Sequence, residues 1–289
     1  TRKLLAVLDT VTQKPVSGLL KNYLDHPGVP ELKFAIECNA EAPTLRVEQS
    51  TARKVSGYAL PWTVPVCVRY GAGTRSSRTC FELMDKVATL ALPSETCPTW
   101  FYGNAGEAGY YTWSASPKWH RALSQHLASL SSVERSALPA MLRRLAEAGD
   151  LSLADYVSAL LNFLESDDIG LQTEALANLG ALGGVLAKNA EERRSFYQWF
   201  ATKLRPIWAR VHPVPDAGAS VESVRFRSRV RQILGGDAEE EAILAEGYSV
   251  FSELLAKDAA LWTSDERELF ALGARRASVK QWEQIQTKL

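Results

Sequence analysis

Few residues in this chain have the type and spacing needed for covalent chemistry, and the histidines decide most of that question. A hydrolytic zinc site needs two His one helical turn apart, so that both imidazoles aim at one ion, with a Glu beside the first as general base. The four His are His26, His120, His126 and His212. On one helix His120 and His126 would point about 120° away from each other, and neither is followed by Glu. They read as amphipathic or capping residues. No Gly-x-Ser-x-Gly elbow is present, and Gly103-x-x-Gly106-x-x-Gly109 lacks the Lys-Ser/Thr of a phosphate loop, so it is turn punctuation. Asp167 and Asp168 could form an acid–base couple, but at a helix start capping is their expected role. Catalytic and metal-ligating residues are expected to be absent, and with them any cofactor held by this chain.

The one charge pattern with ligand chemistry is Arg225, Arg227, Arg229 and Arg231. On a helix 225 and 229 share one face and 227 and 231 another, so at most two converge on one ligand. A guanidinium pair facing a groove suits a peptide carboxylate, and Arg225 with Arg229 is the candidate pair. The alternative is a solvated helix face paired with Glu222 and the acids at 239–241. Cys38, Cys67, Cys80 and Cys97 form no Cys-x-x-Cys pair, which argues against a zinc ribbon. Cys67 and Cys80 flank the Gly71-Ala72-Gly73 turn and could bond across a hairpin in an oxidising compartment. Four buried or half-buried free thiols are the expectation.

The elements that would position these residues change character along the chain. Apolar positions from Leu4 to Leu24 suit two short helices parted near Lys14-Pro15. From Glu31 the period becomes two: Leu32, Phe34 and Ile36, then Leu45 and Val47, then Val64, Val66, Val68 and Tyr70 alternate with polar residues. That pattern predicts antiparallel strands with one buried face, to which Trp100-Phe101-Tyr102 and Tyr110-Tyr111-Thr112-Trp113 add an aromatic pair joined by a turn. A small β-sandwich over 28–117 accounts for them. After Pro117 helix punctuation is dense. Ser131-x-x-Glu134 is a capping box, Gly149 a stop, Ser152, Asp168 and Ser278 are starts, and Asp237-x-x-Glu240 and Ser264-Asp265-Glu266 are further caps. The fold class is therefore α+β and multidomain, a small β-sandwich followed by an α-solenoid-like (HEAT/armadillo-like) helical array.

With 289 residues, 46% hydrophobic and 23% charged, the chain has the composition of a globular protein of more than one packing unit. Its 33 basic residues are balanced by 33 acidic ones, which argues against binding nucleic acid through phosphate neutralisation. No apolar run approaches a membrane span. The start at Thr1 lacks Met and a leader pattern and reads as a cut inside a longer protein. A soluble protein, cytoplasmic in preference, is expected.

A longer pattern runs through the first half. It comprises Pro27-Gly28-Val29-Pro30, Leu45-Arg46-Val47-Glu48-Gln49, Trp62-Thr63-Val64-Pro65 and Trp100-x-x-x-Asn104-x-x-x-x-Gly109-Tyr110-Tyr111. In order and spacing it resembles the region just after the catalytic domain of the aminopeptidase N-like zinc metallopeptidases, the gluzincin aminopeptidase family. Thr112 stands where those relatives commonly carry Arg. Leu130-Ser131-Ser132-Val133-Glu134-Arg135 with Gly149-Asp150-Leu151-Ser152 is similar to the opening of their helical domain, and the match fades after residue 210. The resemblance implies that residues 1–27 are the last helices of a catalytic domain, 28–117 the sandwich, and 118–289 an incomplete superhelical domain of the kind that limits peptide access. It places the zinc, the general base and the amine-binding Glu outside this chain. The implied function is that of a non-catalytic C-terminal part of a zinc-dependent aminopeptidase, forming channel wall and docking surface. Its partners would be the catalytic domain of the same polypeptide and the peptide substrate. The alternative is a stand-alone helical-array scaffold that binds a protein or peptide.

Overall fold

The structure is a computed structural model that describes residues 2–38, 42–51, 62–72, 75–212, 218–257 and 262–286. Gly73 of the expected hairpin turn lies outside the described residues. The chain divides into two compact units, Thr1–Ala159 and Leu160–Leu289.

The first unit opens with α1 (Arg2–Thr12) and α2 (Val16–Asp25). Pro15 parts them, as the sequence predicts, and the Ser17 amide donates to Asp9 Oδ1 at 2.7 Å to fix the corner. Among the described residues seven strands follow: β1 (Pro30–Cys38), β2 (Pro43–Thr51), β3 (Val64–Ala72), β4 (Arg75–Leu83), β5 (Val87–Ala91), β6 (Trp100–Tyr102) and β7 (Thr112–Ala115). They form a four-stranded sheet, β5-β2-β1-β7, and a three-stranded sheet, β4-β3-β6. The alternation read from the sequence sets the buried face: Leu32, Phe34 and Ile36 of β1, Leu45 and Val47 of β2, and Val64, Val66, Val68 and Tyr70 of β3 are all buried. The two sheets meet through rings, Phe34 lying 5.2 Å from Phe101 and Trp113 standing edge-on to Phe101 and Tyr102. Removing a ring such as Phe34 from this layer costs about 3–5 kcal/mol.

Three expectations change here. Trp100–Tyr102 and Thr112–Ala115 do not pair with each other: β6 runs antiparallel to β3 in one sheet, and β7 runs parallel to β1 in the other. All three side chains of β6 are buried, which a hairpin strand with one solvated face does not allow, so the chain crosses between sheets instead of turning back. Gly103 permits the crossing, since a Cβ there would lie 2.6 Å from the Trp113 ring and 2.9 Å from Phe34. Secondly, β5 has no counterpart in the sequence reading, and β4 enters it only as the far arm of the Cys67–Cys80 hairpin, because β4 is mostly exposed and its polar run RSSRT hides the period. Thirdly, the cysteines are not free thiols. Cys67 and Cys80, partners in the β3–β4 register, are bonded, and so are Cys38 and Cys97. The second bond joins the end of β1 to the segment before β6, a proximity that no local spacing reveals.

Helices α3 (Pro117–Gln125) and α4 (Ser132–Ala148) complete the first unit, and α5 (Leu153–Leu164) contains the division. The Ser131 capping box opens α4, and Gly149 ends it at φ 81°, a conformation that favours glycine. The second unit holds α6 (Ile169–Leu186), α7 (Ala190–Val211), α8 (Val221–Arg231), a π-helical turn (Gln232–Asp237), α9 (Glu241–Leu254), α10 (Ser264–Ala274) and α11 (Val279–Gln286). Asp168 Oδ1 accepts from the Leu171 amide, so the Asp167-Asp168 pair is a cap. The π turn absorbs Asp237, and α9 therefore starts at Glu240 without a side-chain cap, while Thr263 and not Ser264 caps α10. Helices α9 and α10 approach at Gly247 and Gly273, where a Cβ on Gly273 would fall 2.2 Å from the Gly247 carbonyl oxygen. Phe200, Leu204, Phe226, Val230 and Phe251 fill the core.

Candidate functional site

In the first unit the residues of the Trp100–Tyr111 pattern form a buried joint. Glu134, 1% exposed at the third position of α4, accepts from the Ser131 amide at 2.8 Å, the Gly106 amide at 2.9 Å and Arg69 Nη1 at 2.8 Å. One carboxylate thus ties the start of α4 to β3 and to the turn after β6. Asn104 and Gly109 hydrogen-bond reciprocally, amide to carbonyl and side chain to backbone. The Tyr111 hydroxyl donates to the Gly103 carbonyl at 2.8 Å, and that of Tyr102 donates to Glu107 Oε1. Burial first, and the Glu107 hydrogen bond second, raise the Tyr102 phenol well above its ordinary range, so it stays protonated. Burial likewise raises the Glu107 carboxyl. The donors and acceptors of this group are turned on one another, and its chemistry is that of a clasp.

The histidines follow the same logic. His120 is buried, and its Nε2 accepts from the Ala115 amide at 3.1 Å, which puts the ring proton on Nδ1. Burial pushes its pKa down to about 4, so it is neutral at pH 7. His126 is the C-cap of α3, with Nδ1 2.8 Å from the Ala122 carbonyl.

In the second unit α8 separates the arginines by face. Arg225 and Arg229 are exposed, and Arg229 donates to Gln232 Oε1 at 3.2 Å. Arg227 and Arg231 are buried, and both donate to Asp265 Oδ1, at 3.3 and 2.7 Å. Arg231 also lies over the Trp208 ring at 5.7 Å. Sequence reasoning did not find this buried pair. Its signal was the second face of α8 matched to Asp265 and Glu268, one turn apart on α10. The acids at 239–241 are engaged elsewhere: Glu239 with Arg194 and Arg275, Glu240 with Arg205, and Glu241 with Arg276.

A cavity of about 390 Å³ opens where α6 ends and α7 begins, lined among others by Lys188, Arg193, Arg194, Asp237 and Arg275. Partial burial raises the Asp237 carboxyl against the opposing pull of Arg229, Arg275 and Arg193. Arg229, one of the two arginines singled out by sequence, thus acts on a residue of this cavity.

A profile of the ERAP1-like C-terminal domain matches residues 100–289, which run from the first strand of the clasp through α11. The chain belongs to the ERAP1-like C-terminal domain family. Comparison with curated protein sequences returned no match. The family match begins at Trp100, the first residue of the aromatic pattern that carried the resemblance, and it continues past residue 210, where the eye loses the likeness. In this ERAP1-like domain no group of three or more His, Cys, Asp or Glu among the described residues is placed to hold a metal ion. No helix among the described residues is long and apolar enough to cross a membrane.

Proposed function

We propose that this chain is the non-catalytic C-terminal part of a zinc-dependent aminopeptidase, docked through its N-terminal helices on the catalytic domain of the same polypeptide. The observation that carries this reading is the uncovered stripe of α1. Leu4, Val7 and Val11 follow the i, i+3, i+7 spacing of one helix face and are 63%, 55% and 75% exposed, whereas Leu5 and Leu8 on the neighbouring face are half-buried. A stripe of that spacing ordinarily faces a core, and the catalytic domain is its cover here. The helices of the second unit form a superhelical wall of the route taken by peptides. Arg225 and Arg229, exposed on one face of α8, meet the distal carboxylate of the substrate, for which a guanidinium pair is suited. Two disulfides support an oxidising compartment for the mature protein over the reducing cytosol.

The test uses the complete protein with Val7→Glu and Val11→Glu. A charge in a packed apolar contact is expected to release the catalytic domain, seen as earlier proteolytic separation of the two parts and loss of activity. Unchanged proteolysis and activity would refute the docking. Replacing Arg225 and Arg229 by Ala is expected to raise KM for peptides more than for single aminoacyl amides, and an equal effect on both would refute their role.

A further inference from the structure

The cavity between α6, α7 and the π turn holds more positive charge than its own carboxylates neutralise. It is lined by four cations, Lys188, Arg193, Arg194 and Arg275, and two carboxylates, Asp237 and Glu239. Glu239 is shared between Arg194 at 4.0 Å and Arg275 at 3.5 Å, and Arg275 also donates to the Gly235 carbonyl at 3.2 Å. Lys188 and Arg193 form no ion pair among the described residues. Arg229 on α8 adds a fifth cation, close enough for its charge to act on both Asp237 and Tyr197. Glu192 adds a third carboxylate, which accepts from the Lys188 amide at 2.8 Å and from the Asn189 side chain at 3.1 Å, so five cations against three carboxylates leave an excess of two.

Geometry and volume point the same way. The 22-residue helix α7 begins at this cavity, with its N-cap Asn189 and first residue Ala190 in the wall, and the positive charge of about one half at its N-terminus is offset by Glu191 and Glu192 in its first turn. A monovalent carboxylate would neutralise one charge of the excess. An anion with two or more charges and oxygens on several sides would neutralise more, and planar guanidinium forks match phosphoryl oxygens in geometry. A volume of about 390 Å³ lies within the range of small-molecule sites and far exceeds what a single inorganic anion fills.

We propose that this cavity binds a compact phosphate-bearing small molecule, held chiefly by Lys188 and Arg193 of its wall. The inference does not depend on the aminopeptidase reading, because it rests on charge within the second unit alone.

The test is calorimetric titration of the 289-residue chain with inorganic pyrophosphate, inorganic phosphate and acetate at matched ionic strength. Pyrophosphate is expected to bind saturably at one site per chain, with acetate at least tenfold weaker. Lys188→Ala with Arg193→Ala, both at exposed positions, is expected to weaken pyrophosphate at least tenfold while leaving the circular dichroism and melting temperature of the free protein unchanged. A control that removes two charges elsewhere, Lys21→Ala with Arg143→Ala, whose side chains are 70% and 59% exposed, is expected to change affinity less than twofold. Absence of saturable binding, acetate within threefold of pyrophosphate, or a control as damaging as the cavity variant would each overturn the proposal.

Discussion

Replacing Glu134 tests the clasp most directly, because three donors converge on a side chain that is 1% exposed. Glu134→Ala leaves the Ser131 and Gly106 amides and Arg69 Nη1 without the acceptor they share. Breaking a buried charge pair by deleting one partner costs about 3–5 kcal/mol. Arg69 retains 27% exposure and Gly106 is exposed, so two of the three donors recover water, and the lower end of that range, about 3 kcal/mol, is expected. Glu134→Gln keeps an acceptor oxygen and loses the charge, for about 1–2 kcal/mol. Global unfolding of a two-unit chain need not be two-state, so the assay is hydrogen exchange read by peptide. A loss of 3 kcal/mol lowers protection about a hundredfold in peptides covering 100–115 and 131–148, with peptides from α9 and α10 as internal reference. A change below 0.5 kcal/mol in Glu134→Ala, or an equal loss in the Gln variant, would refute the account of Glu134 as a shared charged acceptor.

His120 gives a pH signature. The unfolded chain takes up its proton below pH 6.5 and the folded one only near pH 4, so stability falls as pH drops through that window, by up to about 3 kcal/mol. Melting temperatures from pH 7 to 4.5 should fall less steeply in His120→Gln than in the parent, and parallel slopes would count against the assignment. The disulfides differ in the loops they close: by loop-closure entropy, removing Cys38–Cys97 costs about 4 kcal/mol and Cys67–Cys80 about 3 kcal/mol, for separations of 59 and 13 residues. Urea midpoints of the paired Ser variants should rank in that order. Gly103→Ala drives a Cβ into Trp113 and Phe34 and should cost about 1–3 kcal/mol through overpacking. A neutral effect on the melting temperature would show that the crossing has slack.

What the sequence disclosed was local. The period of two located β1, β2 and β3 because each buries one face, and the Ser131 box and Gly149 bounded α4 because caps are written in adjacent residues. What escaped was set by distant partners. The buried aromatics of β6 and β7 signalled strands but not their sheets, since three consecutive buried side chains have no alternation to read. Cys38 meets Cys97 only after the chain has passed through four strands. The four arginines of α8 divided between two faces as helical geometry requires, yet which face was buried depended on Asp265, beyond reach of any local window.

The two units handle charge differently. In the first unit the buried carboxylate Glu134 is met by Arg69 and two amides, and Arg144 bridges Glu31 and the Trp113 carbonyl at 3.2 and 2.6 Å. Charges committed in this way hold elements together and offer nothing to a ligand. In the second unit Arg227 and Arg231 satisfy the same structural need by converging on Asp265, and this frees the opposite face of α8. Arg229 is left on that exposed face with a neutral glutamine as its hydrogen-bond partner, beside a cavity whose Lys188 and Arg193 are equally uncommitted. Cations held near one another raise their neighbours' cost of charging, and Asp237 offsets only part of that cost. An anion met from outside, as proposed for the cavity, would supply the counter-charge that the folded chain lacks there.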